Sequence, residues 1–397
     1  MKVSSKTRRK ANLLKHICIG SAVTRTSLVH KTGLSKMSVS NFINELGSDG
    51  YIIETENNNS GGALQGRPPL VIDISPAAPL VPAIYISRNI CQLALFNLKA
   101  KMVKYVYFEM SEVKSEEMLL LKLESKYREL VDGLTLPLLG IGISSIGPID
   151  RSKGIILNPP DFNGLSNISI QPFFAKLTGL PVYFDNNMSG AALAEAIFGQ
   201  GKDLLNFAYL GVSRGVAAGV ILNGNLINGT TGISGEIGHT SIKFDGPYCF
   251  CGNRGCLELY TSIPVIINKA QVMMSEAGII SPEEVLTWES FVNYANNNEY
   301  YTLKALDEFC EYLSIAIVNL VNMFDCDEVF LGHEIAMVSG LIESKLVEYA
   351  NSRIFSRAMR AISVRKSTFG ENAALTGAAC FVLNELFRGT LPQSCSV

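Results

Sequence analysis

The sequence predicts an α/β protein. A small basic head of three helices and a β-wing comes first, and a larger acidic body of mixed strands and helices follows. Three observations lead to this reading. Apolar residues recur at helical spacing over roughly the first fifty positions and become strand-like runs from residue 83 onward. Charge divides the chain at nearly the same place: residues 1–75 hold ten Lys/Arg against five Asp/Glu, a net of +5 that leaves −7 for the remainder of a chain whose total is −2. Finally, one histidine and three cysteines fall within eighteen positions of the body, spaced His239-x9-Cys249-x-Cys251-x4-Cys256.

The head reads as follows. Residues 7–20 place Leu13, Leu14, Ile17 and Ile19 on one helical face and end at Gly20. A second helix starts after the cap residue Thr24, covers RTSLVHKT and stops at Gly33. Leu34 and Ser35 open a third, whose inner face is Val39, Phe42, Ile43 and Leu46. Its other face carries Ser35, Lys36, Ser38, Ser40, Asn41 and Asn44. Tyr51 to Glu54 is a strand, Asn57 to Gly62 a tip, and Leu70 to Ile72 a return strand, with Gly66-Arg67-Pro68-Pro69 between tip and return. Two short helices joined through a glycine-containing turn, then a hairpin, is a winged helix-turn-helix. Its candidate DNA contacts are Arg25, Ser35, Lys36, Ser38, Ser40, Asn41, Asn44 and Arg67, the last as a minor-groove arm. The competing reading is a helical protein-interaction module with a solvated polar face.

In the body, Ile84 to Ile86, Leu93 to Phe96 and Val103 to Val106 read as strands. Ser115–Asp132 is a helix, and Leu139 to Ile143 returns as a strand. A second half begins at Phe207 to Gly211, with further strands at Gly219 to Leu222 and Asn225 to Ile227. Residues 263–347 read as mostly helical, and a small-residue helix follows over Asn372 to Cys380. Two such halves facing a cleft would bind a small molecule. The expected division is a head at 1–75, a first lobe at 80–190, and a second lobe at 191–397 whose last helix packs back on the first.

Imidazole plus thiolates at His239, Cys249, Cys251 and Cys256 make a Cys3His set suited to tetrahedral structural zinc, with Gly252 and Gly255 allowing a tight loop. The alternative is four unconnected residues. At 397 residues with 47% hydrophobic and 18% charged composition, the chain is a multi-domain globular protein. No apolar run nears the roughly twenty residues of a membrane span. Nine cysteines, an odd number, suit a reducing compartment, so a cytoplasmic location without membrane insertion is expected.

The motifs Gly235-Glu236-Ile237-Gly238-His239, CxCGxxGCxE from Cys249 to Glu258, and Gly215 to Gly219 with Asn223-Gly224 make residues 80–388 resemble the ROK family of repressors, open reading frames and sugar kinases. Weaker matches are AALAE at Ala191 to Glu195 and Gly377 to Ala379. The resemblance implies a two-lobed actin-like, hexokinase-like (ribonuclease H-like) body that binds a sugar or sugar phosphate. It implies zinc on His239, Cys249, Cys251 and Cys256, with His239 a candidate for the sugar as well. Its implied sugar contacts are Asn186, Asn187, Glu236, His239 and Glu258. With the winged helix in front, the chain is similar to the family's sugar-responsive repressors.

Family kinases place aspartates where this chain has Tyr85 and Asn187, and Ser87 stands for a glycine of the first phosphate loop. A tyrosine cannot organise a magnesium-bound phosphate, and an amide has no useful basicity near neutrality. Asp185 lies two residues from the base position, and only a register shift would bring it there. Ser213-Arg214-Gly215 replaces a Gly-x-Gly loop, with Arg214 available to an anion, and Leu331-Gly332-His333-Glu334 keeps one of two adenosine-side glycines. The expected protein is therefore a non-enzymatic regulator, acting as a homodimer or tetramer on a pseudo-palindromic operator. The alternatives are a sugar kinase carrying a DNA-binding head, and a regulator answering to a protein partner.

Overall fold

The computed structural model describes residues 3–56, 70–229 and 231–391; Arg67, its flanking Gly66, Pro68 and Pro69, and the wing tip lie outside them. Helices α1 (Ser5–Ile19), α2 (Arg25–Thr32) and α3 (Lys36–Ser48) form the head. Each starts at a hydroxyl cap: Ser4 accepts from Thr7, Thr24 forms a reciprocal box with Ser27, and Ser35 accepts from Ser38. Gly33 closes α2 at φ 67°, a left-handed turn that suits glycine. Leu13, Leu14, Ile17, Leu28, Val39, Phe42, Ile43 and Leu46 are buried together. Strands β1 (Ile52–Glu56) and β2 (Leu70–Ile74) pair antiparallel as the wing, and Val23 bridges Ile72, fastening the α1–α2 turn to it.

The chain divides into two compact units, residues 1–187 with 375–397, and residues 188–374. Beyond the head, the first holds β3 (Val81–Ile86), β4 (Ile90–Phe96), β5 (Met102–Glu109), α4 (Glu116–Val131), β6 (Ile141–Ser145), β7 (Ile149–Asp150), β8 (Ile155–Ile156), α5 (Ile170–Thr178) and β9 (Val182–Asn186). Its main sheet runs β5-β4-β3-β6-β9, with β3 to β5 antiparallel and β6 and β9 parallel to β3. Apolar residues of α4 and α5, such as Leu123 and Phe174, cover one face.

The second unit contains most of α6 (Asn187–Phe198), then β10 (Phe207–Val212), β11 (Val216–Leu222), β12 (Asn225–Leu226), α7 (Glu258–Thr261), α8 (Ile263–Glu276), α9 (Trp288–Asn296), α10 (Tyr300–Phe324), β13 (Glu328–Gly332), α11 (Ser339–Arg353) and β14 (Ser363–Lys366). Its sheet, β12-β11-β10-β13-β14, repeats the first plan: three antiparallel strands and two parallel ones. This is the two-lobed α/β architecture that the resemblance implies. The closing helix α12 (Ala373–Arg388) belongs mostly to the first unit. There the absent side chain of Gly142 makes room on β6 for the Ala378 carbonyl, so α12 lies directly on the strand.

The span 263–347 is mostly helical, as expected, and β13 runs through it as a buried strand between β10 and β14. A short strand buried on both faces, here Glu328-Val329-Phe330-Leu331-Gly332, has no alternation to reveal it. Among the described residues no helix is long and apolar enough to cross a membrane.

Candidate metal centre, effector residues and nucleic-acid interface

The GEIGH segment owes its placement to two glycines laid flat on β11. A Cβ at Gly235 (φ 87°) would fall on the Ala218 carbonyl oxygen, and one at Gly238 on that of Val216. Only glycine permits such an approach. The Ala218 amide donates to the Gly235 carbonyl at 2.7 Å. Glu236 and His239 then stand at the two ends of a single 3₁₀ turn. Glu258, first residue of α7, accepts a hydrogen bond from the Val216 amide at 3.0 Å, and Gly215 leaves space for its carboxylate. Both motifs are thus referenced to one residue of β11, Val216.

The cysteine loop folds back on itself. Ser241 pairs with Cys256 and Tyr248 with Arg254, while Cys249 accepts from Gly252 and donates to Asn253. Gly252 (φ 92°) turns the tip. Asn253 donates to the His239 carbonyl at 3.1 Å and accepts from Ser241, tying the loop to the GEIGH turn.

The ligand atoms of His239, Cys249, Cys251 and Cys256 all lie within 4.8 Å of one another. Cys249 Sγ is 3.7 Å from His239 Nδ1, and Cys251 Sγ is 3.7 Å from Cys256 Sγ. A tetrahedron with Zn–S near 2.3 Å requires ligand separations of about 3.6–3.8 Å, so the residues fit zinc. Burial pushes the Cys256 thiol up to about 12, and the neighbouring thiols add to this, while the Asn253 amide draws Cys251 downward. A divalent cation held by these four residues would supply the charge that keeps the cysteines as thiolates.

In the first unit, Tyr85, Ser144 and Asp185 stand in register across β3, β6 and β9. Pairing of β9 continues through Asn186, and Asn187 begins α6, so no register shift brings Asp185 to the position of Asn187. Asp185 instead pairs with Arg151 at 3.0 Å; burial raises its pKa, and the guanidinium opposes that only in part. Arg151, 34 residues distant from Asp185, carries no local signal in the sequence. Asn186 and Asn187 are both buried.

In the second unit, Arg214 is exposed beside Gly215. His333, next to the one adenosine-side glycine that is kept, takes a left-handed φ of 63°. Burial drops its pKa to about 4, and its Nδ1 lies 3.5 Å from the Tyr209 hydroxyl.

On the head, Lys36, Asn41 and Asn44 are exposed on α3, and Ser40 is half-buried. Ser35 and Ser38 spend their hydroxyls on the helix cap, 2.9 Å apart. Arg25 is held by a fork to Glu54 of the wing, Nε–Oε1 2.7 Å and Nη2–Oε2 2.8 Å, and also donates to Asn44 Oδ1 at 3.2 Å. The hydrogen bond from Arg25 lowers the Glu54 carboxyl pKa. Arg25 thereby joins α2, α3 and the wing, a bidentate geometry that lysine could not reproduce. Lys6 and Lys10 both pair with Glu45 of α3, and Lys10 also with Asp49, its C-cap. One exposed residue of α3, Met37, was named on neither face by the sequence reading.

Residues 82–385 match the model of the ROK family. A xylose repressor of Bacillus subtilis is 29% identical over 374 residues, covering 94% of each chain. A glucokinase of Thermotoga maritima is 27% identical over 299 residues, covering 73% of this chain and 93% of that one. Among solved structures, a ROK family transcriptional regulator described as a homologue of the Escherichia coli MLC protein superposes with a TM-score of 0.81. It is 23% identical and covers 97% of this chain and 98% of its own.

Proposed function

The chain belongs to the ROK family, and from that premise we propose that it is a DNA-binding transcriptional regulator, a repressor whose operator binding answers to a sugar or sugar phosphate. The observation that carries this reading is the joining, in one chain, of a winged helix-turn-helix with an outward polar recognition helix to a body bearing Glu236, His239 and Glu258. Similarity to the xylose repressor runs through head and body together, whereas the glucokinase matches a smaller share of the chain.

Glu236, His239 and Glu258 are the proposed sugar contacts, together with Asn186 and Asn187. Carboxylates accept charge-assisted hydrogen bonds from sugar hydroxyls and discriminate strongly against analogues that lack them. Zinc on His239, Cys249, Cys251 and Cys256 would hold the loop beside Glu236 in one conformation. No kinase activity is proposed, because neither Tyr85 nor Asn187 can perform the work of an aspartate. The proposed division is 1–75 for DNA and 80–190 with 191–397 for the effector, working as a homo-oligomer on a pseudo-palindromic operator. The effector acts by preferring one of two conformations, since equal affinity for both shifts nothing.

The experiment is a panel of pentoses, hexoses, amino sugars and their phosphates, read by thermal shift and by coupled ATP turnover. One class of ligand is expected to raise the melting temperature by mass action and to release operator DNA, with no turnover. Glu236→Ala should abolish the shift and the release while binding DNA as tightly as the wild type. Robust phosphorylation of any sugar would overturn the regulator reading. An unshifted panel would favour a protein partner as the signal.

A further inference from the structure

We propose that Met37 is a sequence-reading residue, and that its side chain packs on the C5-methyl group of a thymine in the operator's major groove; the proposal rests on the DNA-binding reading. At ~100° per residue, the buried stripe of α3 is Val39, Phe42, Ile43 and Leu46. Met37 lies diametrically opposite the centre of that stripe, in line with Asn41, Asn44 and Ser48, all exposed. Its side chain is 74% exposed, at the second residue of the helix. In this motif the first turns of the second helix-turn-helix helix meet base edges.

The neighbours narrow what Met37 can be doing. Ser35 and Ser38 are committed to the cap, and Asn44 Oδ1 is taken by Arg25. An Asn side chain reads adenine by accepting and donating at once, and the bond from Arg25 to Asn44 Oδ1 restricts how that amide can turn to do so. Discrimination then falls to residues nearer the helix start. Among these Met37 is apolar, and the one apolar group displayed in the major groove is the thymine methyl. An unbranched thioether also adapts its rotamer to such a target.

The test uses the full-length protein. A random-sequence duplex pool is enriched on it, and the recovered site is resynthesised with deoxyuridine in place of each thymine in turn, which removes only the methyl. The wild type is expected to lose about fourfold in affinity per half-site at one thymine, the value of one buried methyl group. Met37→Ala should bind the thymine duplex weaker by that factor and no longer distinguish thymine from deoxyuridine there. Met37→Leu should keep the distinction. The salt dependence should be the same in all three proteins, since no phosphate contact changes. The proposal is overturned if no thymine methyl matters to the wild type, or if Met37→Ala retains the discrimination. A pool that yields no enriched sequence would sink the DNA-binding reading and the proposal with it.

Discussion

Gly235→Ala is expected to melt about 6–12 °C below the wild type and to lose its effector response. Two costs add. A left-handed φ of 87° carries roughly 1–2 kcal/mol for a residue with a Cβ. The new methyl would also fall on the Ala218 carbonyl oxygen, backbone rather than a yielding side chain. β11 is held at this point by its pairing to β10, where Ala218 stands opposite Leu210. A total on the order of 3 kcal/mol, at roughly 2–4 °C for each in a unit of this size, gives the range. Glu236 follows Gly235 directly, so any relief of the clash displaces the carboxylate proposed to hold the sugar. Gly252→Ala is the control: its φ is 92°, yet nothing lies within 4 Å of the added carbon. That variant should show the strain alone, about 1 kcal/mol. Equal losses at both positions, measured by thermal melting, would refute the close-packing argument.

Cys251→Ser should bring the zinc content of the purified protein from about one per chain to near zero. Cys251 is the exposed member of the cluster, so its replacement leaves no cavity in the core, and the change reports on the metal. Structural zinc sites of this donor type are worth about 10–16 kcal/mol of binding in isolated peptides at neutral pH. Losing one of four ligands should therefore release the ion under mild chelation. The loop from Ser241 to Cys256 would then be held only by its own hydrogen bonds and by Asn253. A fall in melting temperature of about 5 °C or more is expected, matched by the wild type after EDTA treatment. The sugar-induced shift should weaken along with it, because His239 belongs to both the cluster and the turn that carries Glu236. A Cys251→Ser protein that retained metal, measured by atomic emission, would exclude this ligand set. Full effector response without metal would uncouple the two sites.

Features of the head and of the cysteine loop were legible in the sequence because their causes are local. Thr24, Ser35 and Gly33 act on residues within one helical turn. Val39, Phe42, Ile43 and Leu46 declare their face by spacing alone. His239, Cys249, Cys251 and Cys256 sit within one short loop, so their convergence needs little more than the turns that Gly252 and Gly255 permit.

Other features required the fold. β13 emerged only as a central strand between β10 and β14, since burial on both faces erases the alternation that marks a strand. The fork from Arg25 to Glu54 spans 29 residues, and the pair of Arg151 with Asp185 spans 34; which charge meets which depends on the register of distant segments. Gly235 and Gly238 were visible as parts of a motif, but not that β11 would lie against them. Met37 was assigned to neither face of the third helix, and the structure leaves it exposed. Caps, turns and ligand spacing are properties of adjacent residues and were determined by the sequence itself. Ion-pair partners and flush backbone contacts were decided by tertiary structure, because packing alone brings residues far apart in the chain to within a few ångströms.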